Sequence, residues 1–176
     1  MNSIKKIGIA VLIIIIVISF TGMFLPSTIK LERSIEIKAP VNLVFDQVNN
    51  LKNWESWSPW VKNDPGLKVL YNDIPVGKGA SFSWSGSTSG KGSLLIIDSI
   101  KDSLVIFALE FKEESPAHSM FKFENKAGDV KVTWSFESEI GNNPFTKVIW
   151  IIGKKAIANS FEKGLMSLKE QVELKK

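Results

Sequence analysis

Alternation of apolar and polar residues dominates the second half of the chain. Val105, Phe107, Leu109 and Phe111 share one parity, as do Phe121 with Phe123, and Val130, Val132, Trp134 and Phe136. Lys122, Lys131, Thr133, Ser135 and Glu137 take the other parity. A period of two marks strands with one wet face and one buried face. Six strands are predicted on this signal, over 67–71, 80–86, 92–100, 104–112, 119–126 and 130–138. Turn residues between them, among them Pro75, Gly77, Gly79, Gly86, Gly90, Asp102, Pro116 and Gly128, imply antiparallel hairpins.

Upstream, Leu31, Arg33, Ile35 and Ile37 alternate with Glu32, Ser34, Glu36 and Lys38, which predicts a first strand beginning at Leu31. Pro40 suits a first helical position, and Val41, Val44, Phe45 and Val48 then recur at i, i+3, i+4 and i+7. Asn49 and Asn50 break that helix, and a short second helix or turn follows, ended by Pro59 before Trp60. From Phe145 to Leu174 there is no proline, and Ile157, Phe161, Leu165, Leu168 and Val172 form a stripe with Lys154, Lys155, Glu162, Lys163, Lys169 and Glu170 elsewhere. This long amphipathic helix is what the greasy face of the sheet needs as a cover. The expected fold class is therefore α+β, ordered β-α-α-β6-α, with about seven strands in one antiparallel sheet.

The N-terminus follows a different pattern. Residues 7–25, IGIAVLIIIIVISFTGMFL, carry no charge, and as a helix they would span about 28 Å, close to the thickness of a bilayer core. A cleavable signal peptide would have a shorter apolar core and small residues at its cleavage site, where Phe20, Met23 and Phe24 stand here. A buried helix of a soluble core is the third reading, and the lack of any polar face speaks against a surface helix. The expected organisation is a flank over 1–6, a single-pass transmembrane helix over 7–25, a tether over 26–30 and one domain over 31–176. Lys5 and Lys6 favour an N-terminus inside the cell membrane and an extracytoplasmic domain, while Lys30, Arg33 and Lys38 behind the segment leave the orientation open.

Composition narrows the function classes. The hydrophobic fraction of 44% is ordinary, so the positive mean hydropathy of +0.08 traces to the N-terminal run. With no cysteine, disulfides and thiolate metal sites are both excluded. The net charge of +4 comes from 22 basic and 18 acidic residues that are interspersed, without the basic stripe of a nucleic-acid binder. His118 is the single histidine and falls on the face opposite Phe121 and Phe123, so no metal site and no catalytic residue is expected there. The stretch GSTSGKGS lacks the spacing of a phosphate-binding loop. Glu110, Glu113, Glu114, Glu124 and Glu137 fall mostly on outer faces or turns, where solvation accounts for them. No cofactor is expected.

The residues RSIEIKAPVNLVFDQVNNLKNWESWSPW and the ending NSFEKGLMSLKEQV resemble the START-like helix-grip superfamily. Its bacterial SRPBCC members, termed polyketide cyclase/dehydrase and lipid-transport proteins, are the nearer resemblance, and they often carry one N-terminal membrane segment. The resemblance spans about residues 30–172 and rests most on Ala39-Pro40, Val44-Phe45, the Trp54, Trp57, Ser58, Pro59 and Trp60 group, and Phe161 with Gly164 and Leu165. It implies a curved sheet gripping the C-terminal helix around an apolar cavity, with Trp54, Trp57 and Trp60 at one end. Those rings could seal the cavity, touch a ligand or meet the membrane interface.

The expected cavity residues are Trp54, Trp57, Trp60, Phe82, Trp84, Phe107, Phe121, Phe123, Trp134, Phe136, Phe161 and Leu165. Gly153 and Gly164 inside the covering helix suggest close packing or reserved space. Arg33 shares parity with Ile35 and Ile37, and is either a head-group contact at the mouth or a strand-start residue facing solvent or the membrane surface. Three functions compete: a membrane-anchored, non-catalytic carrier of a lipid or other hydrophobic small molecule, a cyclase-like or dehydratase-like enzyme, and an interaction module whose cavity is filled by its own side chains.

Overall fold

A computed structural model describes residues 3–112, 115–126 and 128–174, the side chain of Ile152 aside. Helix α1 (Ser3–Phe24) leads into β1 (Thr28–Ile37) and α2 (Val41–Asn49). A 3₁₀ turn (Leu51–Asn53), α3 (Trp54–Trp57) and α4 (Pro59–Asn63) follow. Strands β2 (Lys68–Tyr71), β3 (Ser81–Ser85), β4 (Lys91–Ile100), β5 (Leu104–Phe111), β6 (Ala117–Lys126) and β7 (Asp129–Glu139) precede α5 (Pro144–Glu173).

The six predicted strands form hairpins in chain order, and β1 returns to close the far edge, so the sheet runs β1-β7-β6-β5-β4-β3-β2. Every pairing is antiparallel. A bulge between Ile96 and Asp98 adds local bend to the sheet. Strand β1 pairs with β7 from Thr28↔Glu139 to Ile37↔Val130. It starts three residues ahead of the alternation that begins at Leu31, so most of the stretch expected to be a tether over 26–30 is strand, and Ile29 is buried.

The inner face matches the parity read from the sequence. Val105, Phe107, Phe121, Val130, Val132 and Trp134 are all essentially buried beneath α5 and α2. Phe161, Leu165, Leu168 and Val172 from the second half of α5 and Val44, Phe45 and Val48 from α2 complete one core. Each such large side chain contributes about 1.5–3 kcal/mol by leaving water. Gly164 lets helix and sheet close up, since a Cβ there would stand 2.9 Å from Cζ3 of Trp134 and 3.2 Å from Cδ of Pro59.

From Ile7 onward helix α1 carries no charge on any side, and it is long and apolar enough to cross a membrane, a description that an N-terminal signal sequence also meets. Only its end touches the domain. Gly22 packs against Pro144 with no room for a side chain, and Lys147 of α5, itself buried, donates from Nζ to the Leu25 carbonyl at 2.9 Å. A lysine at the C-terminal end of a helix satisfies an orphan carbonyl and complements the helix dipole. The last turn of α1 and the first turns of α5 are thus fastened together.

Candidate ligand cavity

The three tryptophans at three-residue spacing belong to two short helices, not one. Asn50 starts the segment by accepting from the Lys52 amide through its side chain. Ser58 is extended, with ψ 126°, and Pro59 then opens α4. This break turns Trp60 back toward the sheet, and all three rings converge on Trp134. Their centroids lie 6.2 Å (Trp54), 5.9 Å (Trp57) and 5.5 Å (Trp60) from that of Trp134. Three of the four indole N–H groups are tied down: Trp54 donates to the Val48 carbonyl, Trp57 to the Gln47 carbonyl and Trp134 to Ser119 Oγ at 2.8 Å. Ser119 donates in turn to the Ser135 carbonyl. With those polar edges satisfied, the ring faces present an apolar surface.

Beside this cluster, beneath the first half of α5, lies a cavity of about 400 Å³. That volume falls within the range of small-molecule sites. Its floor is Phe82, Trp84, Leu94, Leu109, Phe111, Ser119, Trp134 and Phe136 on the sheet, and its side wall is Trp54, Ser58, Trp60, Val61 and Leu67. Trp150, Gly153, Ala156, Ile157 and Phe161 of α5 form the roof, and Ser89 stands at the β3–β4 turn. Among the described residues no charged side chain lines it. Ser58, 3% exposed, contributes a hydroxyl to the wall, alongside the indoles of Trp60 and Trp150.

Trp54, Leu94, Trp134, Phe136 and Phe161 are buried, whereas Trp60, Val61, Trp84, Ser89 and Trp150 keep part of their exposure and Ala156 is exposed. The mouth therefore lies between the first half of α5 and the rim formed by α4 and the β3–β4 turn. Asp64, buried, pins that rim by accepting from the amides of Thr88 (3.1 Å) and Ser89 (3.0 Å), and Trp84 donates to the Ser89 carbonyl. The Ser89 amide, helped by that of Thr88, holds the Asp64 carboxyl below its ordinary value against the opposing effect of burial. Outside the cavity, the Tyr71 hydroxyl donates to Glu55 at 2.8 Å; burial, and then Glu55, push the phenol above its ordinary range, so it stays a donor.

Of the twelve residues expected in the cavity, Trp54, Trp60, Phe82, Trp84, Trp134, Phe136 and Phe161 line it. Trp57, Phe107, Phe121, Phe123 and Leu165 are instead packed solid, because α2 and the second half of α5 descend onto the sheet there. Phe123 meets Phe45 at 5.5 Å between centroids, and Trp57 meets Phe121 at 6.1 Å. Arg33 is on the inner parity but away from the cavity: its Nε donates to Glu162 at 2.6 Å and its Nη1 to the Glu32 carbonyl. That engagement leaves the head-group reading without support. His118 is exposed on the outer face, as its parity implies.

Ser58, Val61, Leu67, Leu94 and Trp150 also line the cavity, beyond the residues expected there. Leu109 and Phe111 share the parity of Phe107, so the signal for them was present. Trp150 carried one as well, an apolar run VIWII ahead of Gly153.

No family model matches the chain, and no curated protein matches it. Solved structures do. It is similar to the di-domain ARO/CYC StfQ from the steffimycin biosynthetic pathway, with TM-score 0.63 and 9% identity over 84% of this chain and 51% of that one. Ara h 8.0201 aligns with TM-score 0.56 and 15% identity over 82% of this chain and 97% of that one. The Aha1 dimer from Colwellia psychrerythraea aligns with TM-score 0.58 and 14% identity over 84% and 98%. Identities this low carry the fold and not the activity. The curved seven-stranded sheet closed on a long C-terminal helix is the START-like helix-grip fold.

Proposed function

We propose that the chain is a membrane-anchored domain that holds an uncharged hydrophobic small molecule or lipid in the cavity under α5, without chemistry on it. The observation that carries this reading is the lining: about 400 Å³ walled mainly by aromatic and aliphatic side chains, with a few serines and no charge among the described residues. Transfer of an apolar ligand into such a space is favourable by about 25 cal/mol per Å² removed from water. A buried charge would find no partner there. None of the described lining residues titrates near neutral pH, so the wall supplies shape and apolar surface, not proton transfer.

Helix α1 supports the anchor, and Lys5 and Lys6 in its first turns, ahead of the apolar run, favour a domain on the outer side of the membrane. The full chain in lipid nanodiscs, titrated with the uncharged dye Nile red, tests the binding reading. Saturable binding at one site, lost in Ala156→Phe where a ring would block the mouth, is the expected result. Binding that is non-saturable, or equal in the variant, would refute it.

A further inference from the structure

We infer that the first half of α5 is a second membrane contact, which lays the cavity mouth on the bilayer surface so that ligand enters from the lipid phase. This rests on the reading of α1 as a membrane anchor and of the cavity as a binding site. The end of α1 cannot drift away from α5, because Gly22 packs on Pro144 and Lys147 donates to the Leu25 carbonyl. Wherever the apolar helix leaves the bilayer, the first turn of α5 is therefore held at the boundary.

On that stretch the protein leaves large apolar side chains in the open: Ile149 is 68% exposed, Ile151 55% and Phe145 41%. Phe145, Ile149 and Ala156, at i, i+4 and i+11, fall on one exposed side of the helix, where Ala156 also borders the cavity. The stripe starts beside the anchor and ends at Ala156 on the rim of the mouth. Trp150, half-buried in the roof, has a ring suited to the interface, and Lys154 and Lys155 follow, both exposed, as acidic head groups would require. Water is a poor neighbour for such a stripe, and the bilayer of the anchor is the apolar phase already at hand.

The absence of native cysteine makes site-specific labelling clean. Single variants Ile13→Cys, Ile149→Cys and Leu70→Cys of the full chain carry the environment-sensitive dye NBD in phosphatidylcholine and phosphatidylglycerol vesicles with brominated acyl chains. Leu70, 74% exposed on β2, is the solvent reference. The expected result is blue-shifted, bromine-quenched emission at 13 and 149 and neither at 70. Quenching at 13 without quenching at 149 overturns this inference and leaves the anchor standing. No quenching at 13 removes the anchor and the inference together. In the variant Phe145→Glu with Ile149→Glu, Nile red transfer from vesicles should slow by about tenfold or more, given the apolar burial lost, while its affinity at equilibrium stays the same. An unchanged transfer rate would overturn entry from the lipid phase.

Discussion

Trp134 of β7 and Phe161 of α5 stack face to face, with centroids 4.0 Å apart and planes 14° from parallel. This pair joins the sheet to the helix that closes it, at the boundary between the solid core and the cavity. Trp54, Trp57, Trp60 and Phe121 surround the same indole, Phe121 at 4.5 Å between centroids. The crowded WESWSPW stretch thus builds a collar around one ring, walling the cavity with Trp54 and Trp60 and filling the core with Trp57.

Removing the centre of that collar should be costly. Trp134→Ala is expected to destabilise the domain by about 3–5 kcal/mol, the cost of a large core truncation. Urea unfolding followed by circular dichroism measures it. Trp60→Ala, at a half-exposed ring, should cost less in stability and weaken Nile red binding; the opposite ranking would displace Trp134 from the centre of the packing.

The two glycines of α5 should respond with opposite signs. Alanine is a better helix former than glycine by about 1 kcal/mol. At Gly164 the new Cβ would meet the buried Trp134 ring and Pro59, and overpacking of this kind costs about 1–3 kcal/mol, so Gly164→Ala should destabilise. At Gly153 the nearest atom is 3.1 Å away, on the half-exposed Trp150 ring, which can swing aside. Gly153→Ala should be neutral or stabilising by up to about 1 kcal/mol in the same assay. Equal destabilisation at both sites would show that the cavity roof is packed as tightly as the core.

Arg33 offers a sharp negative expectation. Its pair with Glu162 is exposed at both ends, and such pairs are worth about 0.2–1 kcal/mol. Arg33→Ala should shift the unfolding midpoint only slightly and leave Nile red affinity unchanged. A large loss of affinity would return the arginine to the ligand site.

The rim should loosen in acid. Because the Asp64 carboxyl is held below its ordinary value in the folded state, its contribution is fully present above the unfolded value, near pH 4, and is lost as the pH falls through the lower folded value. Hydrogen exchange at the Thr88 and Ser89 amides measures this directly. Asp64→Ala should strip their protection at neutral pH, as acid does in the native chain. Protection that survives the substitution would mean that the turn holds itself.

The amino-acid pattern encodes much of this arrangement. The parity of Val130, Val132, Trp134 and Phe136 assigns each to the inner face, and the stripe from Ile157 to Val172 names the helix that covers them. Parity says which face a side chain takes, but not which half of α5 lies above it. Phe107 and Phe121 therefore looked like cavity residues and are core, while Leu109 and Phe111, on the same face, line the space. Pairings between distant residues were equally hidden: Glu162 stands 129 positions from Arg33, and Lys147 stands 122 from Leu25. Both contacts depend on the closure of β1 against β7, which local pattern does not encode.

The central claim is that an uncharged apolar ligand occupies an open cavity. Competition between hexadecanol and hexadecanoate for Nile red on the full chain in nanodiscs tests it most directly, since the two share a hydrocarbon chain and differ in charge. The alcohol should displace the dye at least about tenfold more effectively, because an unpaired carboxylate is expensive in a wall without cations. Displacement by neither, or preference for the carboxylate, would contradict the claim.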